Sequence, residues 1–179
     1  MDLPYALQSA YSLARPFLVG ASVALGNAAF VVLFSAALVL AVSYAFKEQK
    51  RLAYLLIAVL VALAMGSLLK ILVAEERPCL LAPGKIECPS DYALPSLHAL
   101  LAFTLVIASV RNRSFLIYLP YALFVAFSRV YLGVHTLHQV EAGLALAFLA
   151  CVATEIIWKN LRWELPDGIM LRHGAFRIG

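Results

Sequence analysis

Residues Asn27 to Phe46 run without a single charged side chain. After the cluster Lys47-Glu48-Gln49-Lys50-Arg51, a second apolar run extends from Leu52 to Val73 and carries one cation, Lys70, near its far end. A ~30 Å hydrocarbon core takes roughly 20 helical residues to cross, so each run is matched to a bilayer. The chain as a whole is 64% apolar and 13% charged, whereas a soluble domain has roughly half its residues apolar. An ordinary soluble domain is thereby excluded. Its 179 residues suit one domain of about six spans, an all-α polytopic membrane helix bundle over residues 1–179 with no soluble second domain.

The other segments are read the same way. Pro4 to Gly20 is the weakest apolar stretch, interrupted by Gln8, Ser9, Ser12 and Arg15. It reads as a first membrane helix or as a helix lying in the interface, and it lacks the basic start and small-residue cleavage site of a signal peptide. Ser96 to Val110, Phe115 to Phe127 and Val140 to Trp158 supply the later crossings, with Arg111-Asn112-Arg113 as a turn. Between Ala74 and Pro95 the prolines at 78, 83, 89 and 95 argue for a polar loop without helix.

Charge sets the orientation. Lys47, Lys50, Arg51, Arg111, Arg113, Lys159, Arg162, Arg172 and Arg177 fall on one side if the segments alternate, and the positive-inside rule makes that side cytoplasmic. Lys70, Arg77, Lys85 and Arg129 fall on the other. The net charge of +4 is therefore divided between loops and buried islands rather than gathered on one face, so nucleic acid is not an expected partner. Membrane lipids and a phosphorylated substrate are. Cys79 and Cys88 share the outer loop, either as a bridge or as two thiols, and Cys151 is a small residue within the last span.

Three polar islands interrupt the apolar pattern on that outer side: Lys70-x6-Arg77-Pro78, Pro95-Ser96-Leu97-His98, and Ser128-Arg129-x5-His135 followed by Gln139. Singly, each has an ordinary reading, such as a snorkelling lysine or an interfacial histidine. Together they read as a phosphoryl-transfer site. Guanidinium groups offer a fixed fork of donors to phosphate oxygens, and a neutral imidazole can attack phosphorus or pass a proton. Ser96 is placed as an N-cap, where free backbone N–H groups bind phosphate and where His98 faces the bound group from the first turn. If the last helix begins near Val134, His135 and Gln139 share a face. The amide oxygen of Gln139 then accepts from one ring nitrogen of His135 and leaves the other free. His138 points to a neighbouring face and reads as structural. No clustered carboxylate site calls for a metal.

These motifs resemble the three signatures of the type-2 phosphatidic acid phosphatase (PAP2) superfamily, in their usual order and membrane positions. The resemblance implies that His135 is a nucleophile forming a phosphohistidine and that His98 is the acid protonating the leaving oxygen. It also implies that Lys70, Arg77, Ser96, Leu97 and Arg129 cradle the phosphate, with no cofactor or metal. Two positions depart from the pattern. Leu97 stands where glycine is usual, and Gln139 where aspartate is usual, with Glu141 a candidate to supply the missing charge. Gln139, with Ser128 to Leu132, His135-Thr136 and Arg77-Pro78-Cys79, is similar to the dolichyl-diphosphate phosphatase branch. The glucose-6-phosphatase branch shares the glutamine in longer chains. The expected activity is hydrolysis of a polyprenyl diphosphate to the monophosphate and inorganic phosphate on the extracytoplasmic face. The alternatives are a phosphatidic acid or phosphatidylglycerophosphate phosphatase, a sugar phosphatase, or, from another class, a small transporter. Against a transporter, the charges lie at one boundary, and the acid within a strong span, Glu155, sits near the cytoplasmic end within reach of Lys159.

Overall fold

The computed structural model describes residues 5–82 and 84–164, apart from the side chains of 5–14, 50 and 161–164. Among the described residues the regular structure is entirely helical: α1 (Tyr5–Ala24), α2 (Ala28–Ala45), α3 (Leu52–Val73), α4 (Leu97–Ala108), α5 (Phe115–Tyr131) and α6 (Leu137–Glu164), with single 3-10 turns at Gln49–Arg51 and Pro78–Leu80. Helices α2, α3 and the Leu137–Asn160 part of α6 are long and apolar enough to cross a membrane, while α4 and α5 are apolar but shorter. Leu33, Leu56, Ile71, Leu116 and Phe148 stand exposed on the outside of the bundle. A surface of that kind is stable against lipid and not against water. The protein is an integral membrane protein.

Local chemistry places the ends of these helices. Asn27 caps α2 by accepting from the Phe30 N–H at 3.1 Å, and the left-handed turn at Ala74 (φ 50°) stops α3 with its N–H bonded back to the Lys70 carbonyl. Helix α4 is the centre of the bundle, buried on nearly every side and packed against α3, α5 and α6, whereas α2 touches α3 and α4 only lightly. Two small residues permit the close crossings. Gly66 of α3 lies under Leu97 and Leu100, and at Gly143 of α6 an added Cβ would stand 3.0 Å from the Ser96 carbonyl and 3.2 Å from the Leu100 nitrogen.

One end of the bundle is tied by Arg51, which donates to the Ala108 carbonyl at 2.5 Å, and by Ser114, which donates to Glu48 at 2.7 Å. The Lys47–Arg51 and Arg111–Arg113 loops therefore share an end, as the charge pattern requires. At the opposite end the 74–95 loop folds back over the helix termini. It is closed by a Cys79–Cys88 disulfide and pinned by Lys85 N–H to Leu132 (3.0 Å) and Ala93 N–H to Glu75 (2.8 Å).

Several sequence expectations are adjusted. Helix α5 continues beyond Phe127 through Ser128 and Arg129, since the Ser128 hydroxyl is satisfied within the helix by the Val125 carbonyl at 2.7 Å. Helix α6 starts at Leu137, later than Val134 and earlier than Val140. Pro78 opens a 3-10 turn in a loop expected to hold none, its ring preset for a first helical position. Expectations resting on Pro4, Pro83, Arg172, Arg177 and the side chains of Lys50 and Arg162 lie outside the described residues. Glu155 pairs with Lys159 at 3.7 Å, and Cys151 is a buried free thiol.

Candidate active site

The three islands converge where the 74–95 loop meets the ends of α3, α4 and α5. Lys70 comes from the last turn of α3, Arg129 from the last turn of α5, and His98 from the first turn of α4. Arg77 and His135 sit on the connecting loops. Together with Asp91 they line one cavity of about 330 Å³ whose remaining wall is apolar, with Val31, Leu63, Leu97 and Leu101 among its residues.

Burial makes the charges matter. Lys70, Arg77 and Arg129 are 7%, 5% and 1% exposed, and a buried cation is costly unless paired. Arg129 donates to the Leu25 carbonyl and to the Ser128 hydroxyl. Arg77 makes a full set of contacts: Nε to the Asp91 carbonyl at 2.8 Å, Nη2 to Asp91 Oδ1 at 2.5 Å, and Nη1 to the Val134 carbonyl and His135 Nε2, each at 3.0 Å. Lys70 pairs with the other oxygen of Asp91. The bridging carboxylate thus lies between the two cations of the first motif. Burial alone would raise the Asp91 carboxyl, but hydrogen bonds from Lys70 and Arg77 and their charges outweigh it and hold the carboxyl below its ordinary value.

His135 is held in one tautomer from both sides. Its Nδ1 lies 3.2 Å from Gln139 Oε1, which also accepts the Thr136 N–H at 3.0 Å. An amide oxygen only accepts, so Nδ1 carries the proton. Nε2, facing an Arg77 N–H, keeps its lone pair. Burial first, and the Arg77 charge second, push His135 down to about 3, leaving the ring neutral over the whole physiological range. His135 precedes α6 rather than sitting on it, so the expected shared helical face is replaced by a turn in which Gln139 reaches back.

Other expected residues are also located. Ser96 occupies the N-cap position of α4, but its hydroxyl makes no capping bond and is buried without a partner. Its N–H is taken by the Gln139 carbonyl at 3.0 Å instead. His98 Nε2 is likewise buried and unpartnered within the cavity lining. The His98 nitrogen is an atom that an entering oxyanion or its leaving group could satisfy. Leu97 begins α4 and contributes an apolar wall. His138 is exposed and pairs with Glu75 at 3.0 Å, and Glu141 is exposed on α6. Asp91 and Glu75 are the site carboxylates that sequence reasoning passed over. Among the described residues no group of three or more His, Cys, Asp or Glu side chains is gathered in a metal-binding cluster.

Comparison with known proteins agrees with the geometry. The sequence model of the PAP2 superfamily matches residues 51–163, which include every charged and histidine side chain of the site. The chain belongs to the PAP2 superfamily. A curated relative from Escherichia coli (strain K12), named "Putative undecaprenyl-diphosphatase YbjG", is 33% identical over 79 residues, which are 42% of this chain and 40% of that protein. The aligned part thus spans well under half of the curated relative. Among solved structures, the transmembrane PAP2-type phosphatidylglycerolphosphate phosphatase from Bacillus subtilis superposes with a TM-score of 0.60 over 93% of this chain and 90% of that one, at 20% identity. That likeness establishes the PAP2 fold. Against the PAP2 signature, the departures at Leu97 and Gln139 now have surroundings: an apolar wall for the first and three side-chain hydrogen bonds for the second.

Proposed function

We propose that this PAP2 protein is a lipid phosphatase that removes the terminal phosphate of a polyprenyl diphosphate, working from the extracytoplasmic side. The observation that carries the reading is His135 Nε2: an unprotonated imidazole nitrogen facing a cavity ringed by Lys70, Arg77 and Arg129. In the first step Nε2 donates its lone pair to phosphorus as the bond to the leaving oxygen breaks, and His98 delivers a proton to that oxygen. In the second step water attacks phosphorus, the P–Nε2 bond breaks, and His98 takes the water's proton. Cations already fixed around the phosphorus stabilise the developing charge without reorganising. For its lone pair to attack, Nε2 must be released from Arg77. A phosphate that draws Arg77 onto its own oxygens would uncover the nucleophile at the moment of binding.

A lipid rather than a soluble substrate is supported by the apolar wall. Val32, Leu63 and Leu101 belong both to the site cavity and to an apolar groove of about 390 Å³ between α2, α3 and α4. A long apolar chain attached to the phosphate can lie there. Gln139 and the name of the Escherichia coli relative favour a polyprenyl diphosphate within that class.

Phosphate release by the purified protein from polyprenyl diphosphate, polyprenyl phosphate, phosphatidic acid, phosphatidylglycerophosphate and glucose 6-phosphate tests this. The expected result is preference for the polyprenyl diphosphate, no turnover by His135→Ala, and an unchanged rate in chelator. Preference for glucose 6-phosphate, or an active His135→Ala variant, overturns it.

A further inference from the structure

We propose that Glu75 is the positioning carboxylate of this site. Acting through Gln139, it supplies from the end of α3 the charge that the family pattern places directly beside the nucleophile on the last helix. The inference rests on His135 being that nucleophile.

An amide side chain can present oxygen or nitrogen at either end, and what surrounds Gln139 fixes the choice. Its Oε1 meets two donors, Thr136 N–H at 3.0 Å and His135 Nδ1 at 3.2 Å, while its Nε2 donates to Glu75 Oε1 at 2.5 Å. A flipped amide would set an oxygen against the Glu75 carboxylate and an NH₂ against the Thr136 N–H. It would also force the ring proton onto His135 Nε2, against Arg77. The carboxylate at 75 therefore makes the flip unfavourable and keeps the lone pair on the atom that faces the phosphate site. Gln139 is 1% exposed, so solvent cannot substitute for Glu75.

The backbone holds Glu75 in place for this task. The left-handed residue Ala74 turns the chain off α3 immediately before it, and the Glu75 carbonyl accepts the Ala93 N–H at 2.8 Å. The other oxygen of its carboxylate, Oε2, lies 3.3 Å from Nε2 of the exposed His138. When Nε2 bonds to phosphorus the ring becomes cationic. The Gln139 carbonyl then faces that charge, polarised through its own NH₂ by the carboxylate behind it. Substituting aspartate at 139 in this setting would oppose two carboxylates. The identities of residues 75 and 139 are therefore linked: glutamine needs an acid at 75, and an acid at 139 needs an amide there.

The test compares kcat and KM on polyprenyl diphosphate micelles for four variants of the full-length protein, with thermal unfolding of each as a control. His135→Ala must be inactive, and if it turns over, the reading of the nucleophile fails whatever Glu75 does. Given an inactive His135→Ala, Glu75→Ala should lower kcat by on the order of 10²-fold with little change in KM, since the phosphate cradle is untouched. Gln139→Asp alone should lose activity to a similar extent, and the pair Glu75→Gln with Gln139→Asp should regain most of it. A wild-type kcat in Glu75→Ala, a rise in KM that accounts for its loss, or a pair no more active than Gln139→Asp alone overturns the proposal. If Glu75→Ala does not fold, the pair against the single variant decides.

Discussion

Asp91 keeps 54% of its side chain in solvent while its two oxygens serve Lys70 and Arg77, cations that are almost completely buried. Without a counter-ion those cations would be expensive to bury, and if they hold the phosphate as proposed, the carboxylate takes the place of two of its oxygens. On the reading proposed above, it is a placeholder that a substrate displaces. Asp91→Asn is expected to bind inorganic phosphate as a competitive inhibitor on the order of tenfold more tightly, and to unfold at a lower temperature that added phosphate restores. An unchanged inhibition constant would show that phosphate and Asp91 do not share the cradle. Because the carboxyl is held below its usual range, its contribution to stability is present above that range and is lost as pH falls through it. Asp91 should therefore stay ionised between pH 5 and 8, and the ratio of the inhibition constants of the wild type and Asp91→Asn, in which the titration of phosphate itself cancels, should not vary across that window. At this scale the sequence was readable wherever spacing reports chemistry. Lys70, Arg77, His98, Arg129 and His135 all reach the cavity. Glu75 and Asp91 were not readable, because an acid in a proline-rich loop has no periodicity and gains a role only when the loop folds back.

The crossing of α4 and α6 decides where His98 and His135 stand relative to each other. At Gly143 a methyl group would meet backbone, the Ser96 carbonyl at 3.0 Å and the Leu100 nitrogen at 3.2 Å, next to the hydrogen bond from Ser96 N–H to the Gln139 carbonyl. Backbone cannot move aside without shifting the start of α4. At Gly66 the obstacles are the terminal carbons of Leu97 and Leu100, which can rotate away. Gly143→Ala is therefore expected to destabilise the protein by about 1–3 kcal/mol and to reduce kcat, with Gly66→Ala milder in both respects. Thermal unfolding and kinetics of the two variants check this, and equal effects would remove the special place of the crossing. The apolar runs revealed every helix in its order. They did not reveal the ends, because Ser128 and Arg129 look like loop residues until the Val125 and Leu25 carbonyls are seen to satisfy them. Nor could spacing reveal that Ser96 would hold the cap position of α4 without its hydroxyl capping the helix.

Across the whole molecule, the loops carrying Arg51 and Arg113 close one end of the bundle, and the disulfide-bridged loop with the site closes the other. With the basic end cytoplasmic, Ser90→Cys should react with an impermeant maleimide on intact cells, and Arg113→Cys only after permeabilisation. Labelling in the reverse order would move the chemistry to the cytoplasm. The cavity that shares Val32, Leu63 and Leu101 with the groove beyond it also has a kinetic meaning. A substrate entering along that groove arrives by two-dimensional diffusion, so its effective concentration is a mole fraction within the sheet of lipid rather than a molarity in the surrounding water. Inert lipid or detergent then acts as a diluent that slows turnover even when the total amount of substrate is unchanged. On the proposed lipid substrate the two products would part into different phases, phosphate into water and the dephosphorylated lipid into the bilayer, and that separation would oppose the reverse reaction.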